Sequence, residues 1–203
     1  NGEVADEWIV SDADFVRLLG AWSLFRPLPW RYRLAFSFRG GFAHPLGRSE
    51  GIPVDQRFHL GGTGSVRGFR ESAIGPRFPA LAGGEDVSSD VSTGGDLAGS
   101  YNLEIRHRMI GGLDWVFFHD GGMSRLFHQE ADLAAKNPDE LLQRGRLRQQ
   151  EELATSIGIG LRVKTVVGPI KFDLGIDTTK LEHLDSINGT RDHVLIHFTI
   201  GDF

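Results

Sequence analysis

Five segments of the chain alternate between apolar and polar residues with a period of two. They share an apolar face of aromatic and aliphatic side chains and an opposite face rich in charged residues, Asn, Ser and Gly. These segments are 31–39, 100–108, 156–164, 170–176 and the segment that begins at residue 194. A period of two predicts β-strands, because successive side chains of a strand point to opposite faces. Two less regular apolar segments, about 15–25 and 114–124, bring the prediction to about seven strands.

The connections between these strands alternate between short and long. The short turns are 26–30, 109–113 and 165–169, and the long polar connections are 44–97, 125–153 and 177–192. This alternation is expected of an outer-membrane β-barrel, which has tight turns on one side and large loops on the other. The polar faces would then line a wet lumen while the apolar faces meet lipid. A soluble β-sandwich is the alternative, because a solvated face and a lumen face have the same periodicity.

Composition narrows the classes of function. The chain has 203 residues, a formal net charge of −5 and no cysteine, so it has no disulfide framework or thiol chemistry, and nothing favours a nucleic-acid partner. It contains no run of about 18 apolar residues, so no transmembrane helix is predicted. Residues 1–8 are polar and acidic, unlike a signal peptide. In the second long connection, 137–140 reads as a helix start and predicts a short surface helix.

Several residues suggest a catalytic or ligand site without forming a chemically complete set. His193 and His197 share a strand face, but no Cys or carboxylate cluster joins them at zinc-ligand spacing. The glycine-rich segment 61–68 lacks the Gly-Lys-Ser/Thr ending of a phosphate-binding loop. The strand carboxylates Asp114, Asp120 and Asp173 have no nucleophile arrangement beside them. The sequence therefore predicts neither an enzyme nor a cofactor or metal site.

The glycine-dense segment from Arg57 to Phe69 is the most informative part of the chain. It holds one buried-looking cation, Arg67, between Val66 and Gly68. Glycine permits positive φ angles and close backbone approach, so such a loop can fold back into a confined space.

An ordered set of motifs carries a resemblance to a known family. Val66–Phe69, with Phe58-x-Leu-Gly-Gly before it and Ile74-Gly-Pro after it, resembles the barrel of the BamA/TamA superfamily of outer-membrane barrel assembly proteins, also called the bacterial surface antigen family. Further segments match that family in the same order: 100–106 with an inward Glu104, 117–122, 160–162, 168–173 and 198–203. The ordered set is much more specific than Val-Arg-Gly-Phe alone, and it covers the chain from about residue 31.

The resemblance implies an all-β, transmembrane antiparallel barrel of sixteen strands that is usually preceded by periplasmic POTRA domains. Residues 1–203 would be the C-terminal portion, about the last seven strands, with 44–97 as a lumen-inserted loop. The POTRA domains and the N-terminal barrel strands would be absent from this sequence. Seven strands do not close such a barrel, and unpaired backbone groups cost several kcal/mol each in lipid. The chain is therefore expected to be a fragment, or one piece of a barrel that another chain completes.

Arg67 requires carboxylate partners if it lies in the lumen, because a stranded buried charge costs about 3–5 kcal/mol. The inward acids on neighbouring strands are Glu104 and Asp120, the positions that the resembled family uses. Bidentate pairing would hold the loop in place. The predicted loop lock therefore comprises Val66, Arg67, Gly68, Phe69, Glu104 and Asp120. The alternative is a surface Arg67 in a marginal ion pair.

The last strand is the second predicted functional element. In the resembled family the first and last strands pair weakly, which opens a lateral gate where a client strand adds by β-augmentation. The residues predicted to form this seam are Val194, Ile196, Phe198, Ile200, Gly201 and Phe203. Phe203 is out of register with the even-numbered apolar stripe. Either a bulge near Gly201 restores the register, or Phe203 lacks the usual role of a terminal aromatic residue.

The function implied by the resemblance is assembly and insertion of proteins through a lateral seam in the bacterial outer membrane, without a cofactor. The implied partners are outer-membrane lipid, barrel precursors as clients, and the missing strands and POTRA domains. Three alternatives remain: a two-partner secretion transporter that exports an unfolded polypeptide, a barrel that anchors an enzyme domain such as a patatin-like lipase, and a soluble β-sandwich binding module.

Overall fold

The computed structural model describes residues 14–47, 49, 51–76, 79–82, 85–88, 92–127, 153–165, 168–179 and 194–200. The described residues form nine strands and two single 3₁₀ turns. The strands are β1 (Phe15–Pro27), β2 (Tyr32–Pro45), β3 (Pro79–Ala82), β4 (Glu85–Ser88), β5 (Leu97–Arg108), β6 (Leu113–Arg125), β7 (Ala154–Thr165), β8 (Gly168–Asp177) and β9 (Val194–Ile200). The 3₁₀ turns are Val54–Gln56 and Ile110–Gly112. No helix in the described part of the chain is long and apolar enough to cross a membrane.

Seven of these strands form one antiparallel sheet in the order β1-β2-β5-β6-β7-β8-β9. All seven predicted strands are confirmed, including the two with irregular patterns, and so is the all-β class. Strands β3 and β4 form a separate hairpin within the first long connection, which the sequence pattern did not predict. The predicted helix at 137–140 and the seam positions Gly201 and Phe203 lie outside the described residues.

The register of the sheet aligns the alternating stripes of neighbouring strands on two common faces. The face that we call the apolar face carries the aromatic and aliphatic stripe of every strand, and its side chains remain exposed: Phe117 is 59% and Ile196 76% exposed. The opposite face, the polar face, carries Asn102, Glu104 and Asp120, which the register places beside one another on β5 and β6. A contiguous exposed apolar face of this extent needs an apolar phase around it. The described strands form one wall and not the two stacked sheets of a β-sandwich.

The buried apolar residues lie between the polar face and the long connection that leaves β2. One cluster comprises Val66, Phe69, Ala73, Ile74 and Ala154, and a second comprises Ala43, Ile52, Phe58 and Ala98. Most of these side chains belong to the connection and not to the strands. The core of the described chain is therefore formed by this connection packing on the sheet, and the same packing positions the candidate site.

The sheet is open at both ends. Among the described residues, β1 pairs with β2 alone and β9 pairs with β8 alone. Within lipid, backbone N–H and C=O groups must be paired, because no water is available to replace a strand neighbour. The two edges of this sheet therefore need further strands in a membrane.

We expect Phe117→Arg to lower the free energy of unfolding in lipid vesicles by about 2–4 kcal/mol, because it places a charge near the middle of the lipid-facing side of β6. The control is Ser23→Arg on the polar face of β1, expected to change that free energy by less than about 0.5 kcal/mol. Denaturant titration followed by tryptophan fluorescence measures both. Equal losses in the two variants would contradict the assignment of the faces.

Candidate functional site

Residues 58–76, which we call the clamp loop, are held in a compact conformation by glycine. Gly61 and Gly62 have φ angles of +117° and +80°, in the region that favours glycine. The Gly61 N–H donates to Ser65 Oγ at 2.7 Å, and that hydroxyl donates to Gly61 O at 3.0 Å. The Gly62 N–H donates to Phe69 O at 2.9 Å. The resulting turn presents residues 66–69 to the polar face of the sheet.

Val66 anchors the clamp loop on β6. It is fully buried and packs with Phe69 and Ile74. A Cβ placed on Gly122 of β6 would lie 2.9 Å from the Val66 Cγ2. The valine side chain therefore occupies space that exists because β6 has no side chain at this position.

Gly68 allows the loop backbone to touch the sheet directly. A Cβ at Gly68 would overlap the Ser156 side chain on β7 and lie 3.0 Å from the backbone nitrogen of Asp177. On the sheet side, a Cβ at Gly175 of β8 would lie only 2.6 Å from the carbonyl oxygen of Arg67. A close approach of two backbones requires glycine on both sides, because any side chain would separate them.

Arg67 lies between the two carboxylates that the sequence analysis named. Its Nε and Nη2 donate to the two oxygens of Asp120, each at 2.7 Å, and its Nη1 donates to Glu104 Oε1 at 2.7 Å. The backbone N–H of Arg67 also donates to Asp120 Oδ2 at 3.2 Å. Arg67 is 5% exposed and Asp120 is fully buried. This bidentate, charge-assisted pairing is among the strongest hydrogen-bonding arrangements in proteins.

The site contains two partners of Arg67 that the sequence analysis did not identify. Asp173 Oδ2 on β8 lies 3.7 Å from the Arg67 Nη1. The guanidinium carbon lies 3.6 Å from the ring centroid of Phe118 on β6, a cation–π contact. Gly158 on β7 makes room for that ring, because a Cβ there would overlap it. Phe118 is an apolar residue on the polar face, which is why the alternation of β6 looked irregular.

Further cations neutralise the surrounding carboxylates. Arg106 Nε donates to Glu104 Oε2 at 2.7 Å, and Arg162 donates to both oxygens of Asp173 at 2.6 and 2.9 Å. The cluster thus contains three guanidinium groups (Arg67, Arg106, Arg162) and three carboxylates (Glu104, Asp120, Asp173). Equal numbers of opposite charges make their shared burial tolerable.

The electrostatic surroundings keep Arg67 charged. Burial lowers the pKa of the guanidinium. The hydrogen bond and charge of Asp120, with the charges of Glu104 and Asp173, outweigh burial, so the pKa is raised above its ordinary value.

Asp114, the remaining strand carboxylate named in the sequence analysis, lies outside this cluster and accepts a hydrogen bond from Arg33 at 2.7 Å. Across the described residues, no group of three or more His, Asp or Glu side chains is arranged to hold a metal ion.

The predicted seam residues form a separate group. Val194, Ile196, Phe198 and Ile200 lie on the apolar face of β9 and are exposed. They point away from the clamp loop. The inward side of the same strand nevertheless reaches that loop, because His197 Nε2 lies 2.6 Å from the carbonyl oxygen of Arg67. The sequence pattern placed His197 on a strand face with His193 but gave no partner for it.

The family is decided by a match over the whole sequence. Residues 1–203 match the family model described as the Omp85 superfamily domain. The chain belongs to the Omp85 superfamily. This confirms the resemblance inferred from the ordered motifs, and it places the chain in the bacterial outer membrane as part of a β-barrel.

Curated relatives and solved structures agree with this family. The chain is 26% identical over 167 residues to the outer membrane protein assembly factor BamA of Nitratidesulfovibrio vulgaris, covering 82% of this chain and 18% of that protein. It is 30% identical over 90 residues to BamA of Neisseria meningitidis serogroup B, covering 44% of this chain and 11% of that protein. The chain thus spans less than a fifth of the length of these two relatives.

The fold also matches a solved barrel. The crystal structure of BamA from Haemophilus ducreyi lacking POTRA domains 1–3 superposes with a TM-score of 0.65 at 19% identity, covering 81% of this chain and 32% of that chain. The likeness supports the barrel fold of this Omp85 superfamily member.

We expect Gly68→Ala to destabilise docking of the clamp loop by about 1–3 kcal/mol, because the new methyl group overlaps Ser156 and the β8 backbone. Gly64→Ala is the matched control, since a Cβ there meets nothing within 4 Å; its effect should stay below about 1 kcal/mol in either direction. The rate of limited proteolysis within residues 58–76, measured in vesicles, compares the two variants. Indistinguishable cleavage rates would contradict direct backbone packing of the loop on the sheet.

We expect Arg67→Ala to cost about 3–5 kcal/mol of stability, because it leaves buried carboxylates without their main cation. Arg39→Ala provides the comparison: Arg39 is exposed and donates to Asn102 at 2.9 Å, so its loss should cost less than about 1 kcal/mol. Denaturant titration in vesicles gives both values. A loss for Arg67→Ala no larger than that for Arg39→Ala would refute the buried clamp.

Proposed function

We propose that this chain is the part of an outer-membrane barrel that carries a lateral seam at β9, where precursors of other barrel proteins add their strands during insertion. The clamp loop lies in the lumen and locks the wall through Arg67, Glu104 and Asp120. The proposal draws on the names of the two relatives, which are outer membrane protein assembly factors. Strand addition requires no nucleotide or cofactor, because the new backbone hydrogen bonds supply the free energy.

The observation that carries the proposal is the position of β9 at one edge of the described sheet. Among the described residues this strand has one sheet neighbour, and it pairs with β8 over seven positions, Val194–Ile200. A strand at the edge of the described sheet can present backbone N–H and C=O groups to an incoming strand. Its exposed apolar stripe keeps that edge within the lipid.

The clamp loop complements this edge by making the rest of the wall rigid. Arg67 connects β5, β6 and β8 through Glu104, Asp120 and Asp173. With these strands fixed to one another through a buried charge network, a change of pairing at β9 need not spread into the sheet. The seam at β9 then opens while strands β5, β6 and β8 keep their positions.

The test is site-directed photocrosslinking in the full-length protein that contains this chain. A crosslinker at Ile196 or Phe198 is expected to capture a barrel precursor during insertion into vesicles. The same crosslinker at Phe172, which lies on β8 between two paired strands, is the control and should capture little. Equal capture at Phe172 and Ile196, or capture at neither, would refute a client site at the β9 edge.

A second candidate function is export of an unfolded polypeptide through the lumen, as in two-partner secretion. It is favoured by a cavity of about 420 Å³ between the clamp loop and the polar face, lined by residues that include Arg39, Arg106 and Lys171. In this case the translocating chain would crosslink to inward-facing positions such as Ser37 and Thr199. Assembly predicts crosslinks to the outward edge positions Ile196 and Phe198 instead.

We expect Arg67→Ala to reduce the rate of precursor insertion in vesicles, because a released clamp loop no longer fixes the strands that flank the seam. The Arg39→Ala variant should insert precursors at the unaltered rate. The assay follows the appearance of folded, protease-resistant precursor over time. An unchanged rate together with unchanged protease resistance of residues 58–76 in Arg67→Ala would disprove the role of the clamp.

A further inference from the structure

His197 makes a contact that neither the clamp nor the seam explains by itself. It faces inward from β9, and its Nε2 lies 2.6 Å from the carbonyl oxygen of Arg67. A carbonyl oxygen only accepts hydrogen bonds, so Nε2 must carry the hydrogen. This condition is met by the neutral tautomer with Nε2–H and by the imidazolium, so the bond does not depend on one protonation state.

Arg67 is therefore held at its two ends by different parts of the sheet. Its guanidinium binds Asp120 on β6 and Glu104 on β5, while its main-chain carbonyl accepts from His197 on β9. Strands β7 and β8 separate the two attachment points in the sheet. The carbonyl reaches β9 because Gly175 leaves the space above β8 empty.

The contact depends on the register of β9. His197 now pairs opposite Asp173 of β8. A slip of one residue would turn the imidazole to the apolar face, since side chains alternate between the faces of a strand. A slip of two residues would keep the face but move the imidazole by about 6.6 Å along the strand, too far for a hydrogen bond. The bond to Arg67 is therefore compatible with one position of the edge strand.

We propose that His197 is a positioning residue that couples the clamp loop to the seam strand. The inference rests on the proposed function, because it assigns to the seam a physical link with the lumen. Release of the clamp loop makes the resting register of β9 less stable, and displacement of β9 makes docking of the loop less stable. The coupling free energy is the same in both directions. A client strand that shifts β9 would therefore loosen the clamp loop, and a docked loop favours the resting register of the seam.

The experiment measures hydrogen–deuterium exchange by mass spectrometry on the full-length protein in lipid vesicles, without a client. His197→Leu is expected to speed exchange in residues 58–69 and in 194–200 on the order of fivefold or more, which is the scale of one lost hydrogen bond. His197→Gln retains a side-chain N–H donor and should restore slow exchange in both segments. Thr199→Val, two residues along on the same face of β9, controls for general effects of inward substitutions.

Reciprocity is tested with Arg67→Ala. This change should speed exchange in residues 194–200 although it lies in the loop, and adding His197→Leu should produce little further increase, since both changes act on one connection. Equal effects of Thr199→Val and His197→Leu would overturn the proposal, as would additive effects in the double variant. Unchanged exchange in 194–200 on Arg67→Ala would also overturn it. If His197→Leu fails to fold, His197→Gln and Arg67→Ala still decide the outcome.

The two proposals fail separately. If exchange in the loop and in β9 is coupled but no client crosslinks at Ile196, the role of His197 stands and the seam is rejected as a client site. Client crosslinks at Ile196 without coupled exchange would support assembly at the seam and reject the role assigned to His197.

Discussion

The structure depends on the burial of one positive charge. The guanidinium of Arg67 is removed from water and is stable there because Asp120 binds it through two oxygens and Glu104 binds its remaining branch. A buried charge tolerates little displacement of its partners, since each lost hydrogen bond leaves a charge without solvation. The pairing therefore fixes both the depth of the clamp loop and the position of the strands that carry the two acids.

Glycine residues, which have no side chain, are as important to this site as the charges. Gly122 receives the Val66 side chain, Gly158 receives the Phe118 ring, and Gly175 receives the Arg67 carbonyl. Glycine is unfavourable within a strand, because it adds backbone entropy and no packing. The sheet tolerates this cost because the clamp loop fills the space that the glycines leave. The wall and the loop therefore form one packed unit, and neither has a complete core without the other.

The two faces of the sheet separate two tasks. The apolar face needs only general hydrophobicity to match lipid, whereas the polar face needs specific atoms at specific positions to hold the loop. Strand β9 takes part in both: Ile196 and Phe198 point outward and His197 points inward. Because alternate residues of a strand lie on opposite faces of the sheet, β9 contributes to both faces at once.

The sequence by itself determined the strands, the alternation of turn lengths and the faces of the five regularly alternating strands, because these follow from local patterns. It also named Glu104 and Asp120 as partners of Arg67, since they are inward acids on neighbouring strands and match the positions that the resembled family uses. Asp173 and His197 were not assigned to Arg67, because β8 and β9 lie far from the clamp loop in sequence. Phe118 was not assigned either, because an apolar residue on the polar face breaks the alternation of β6. Only tertiary structure brings those strands under one loop: the depth of the loop and the register of β6, β8 and β9 decide which inward residues touch it, and neither quantity is encoded in the periodicity of any one strand.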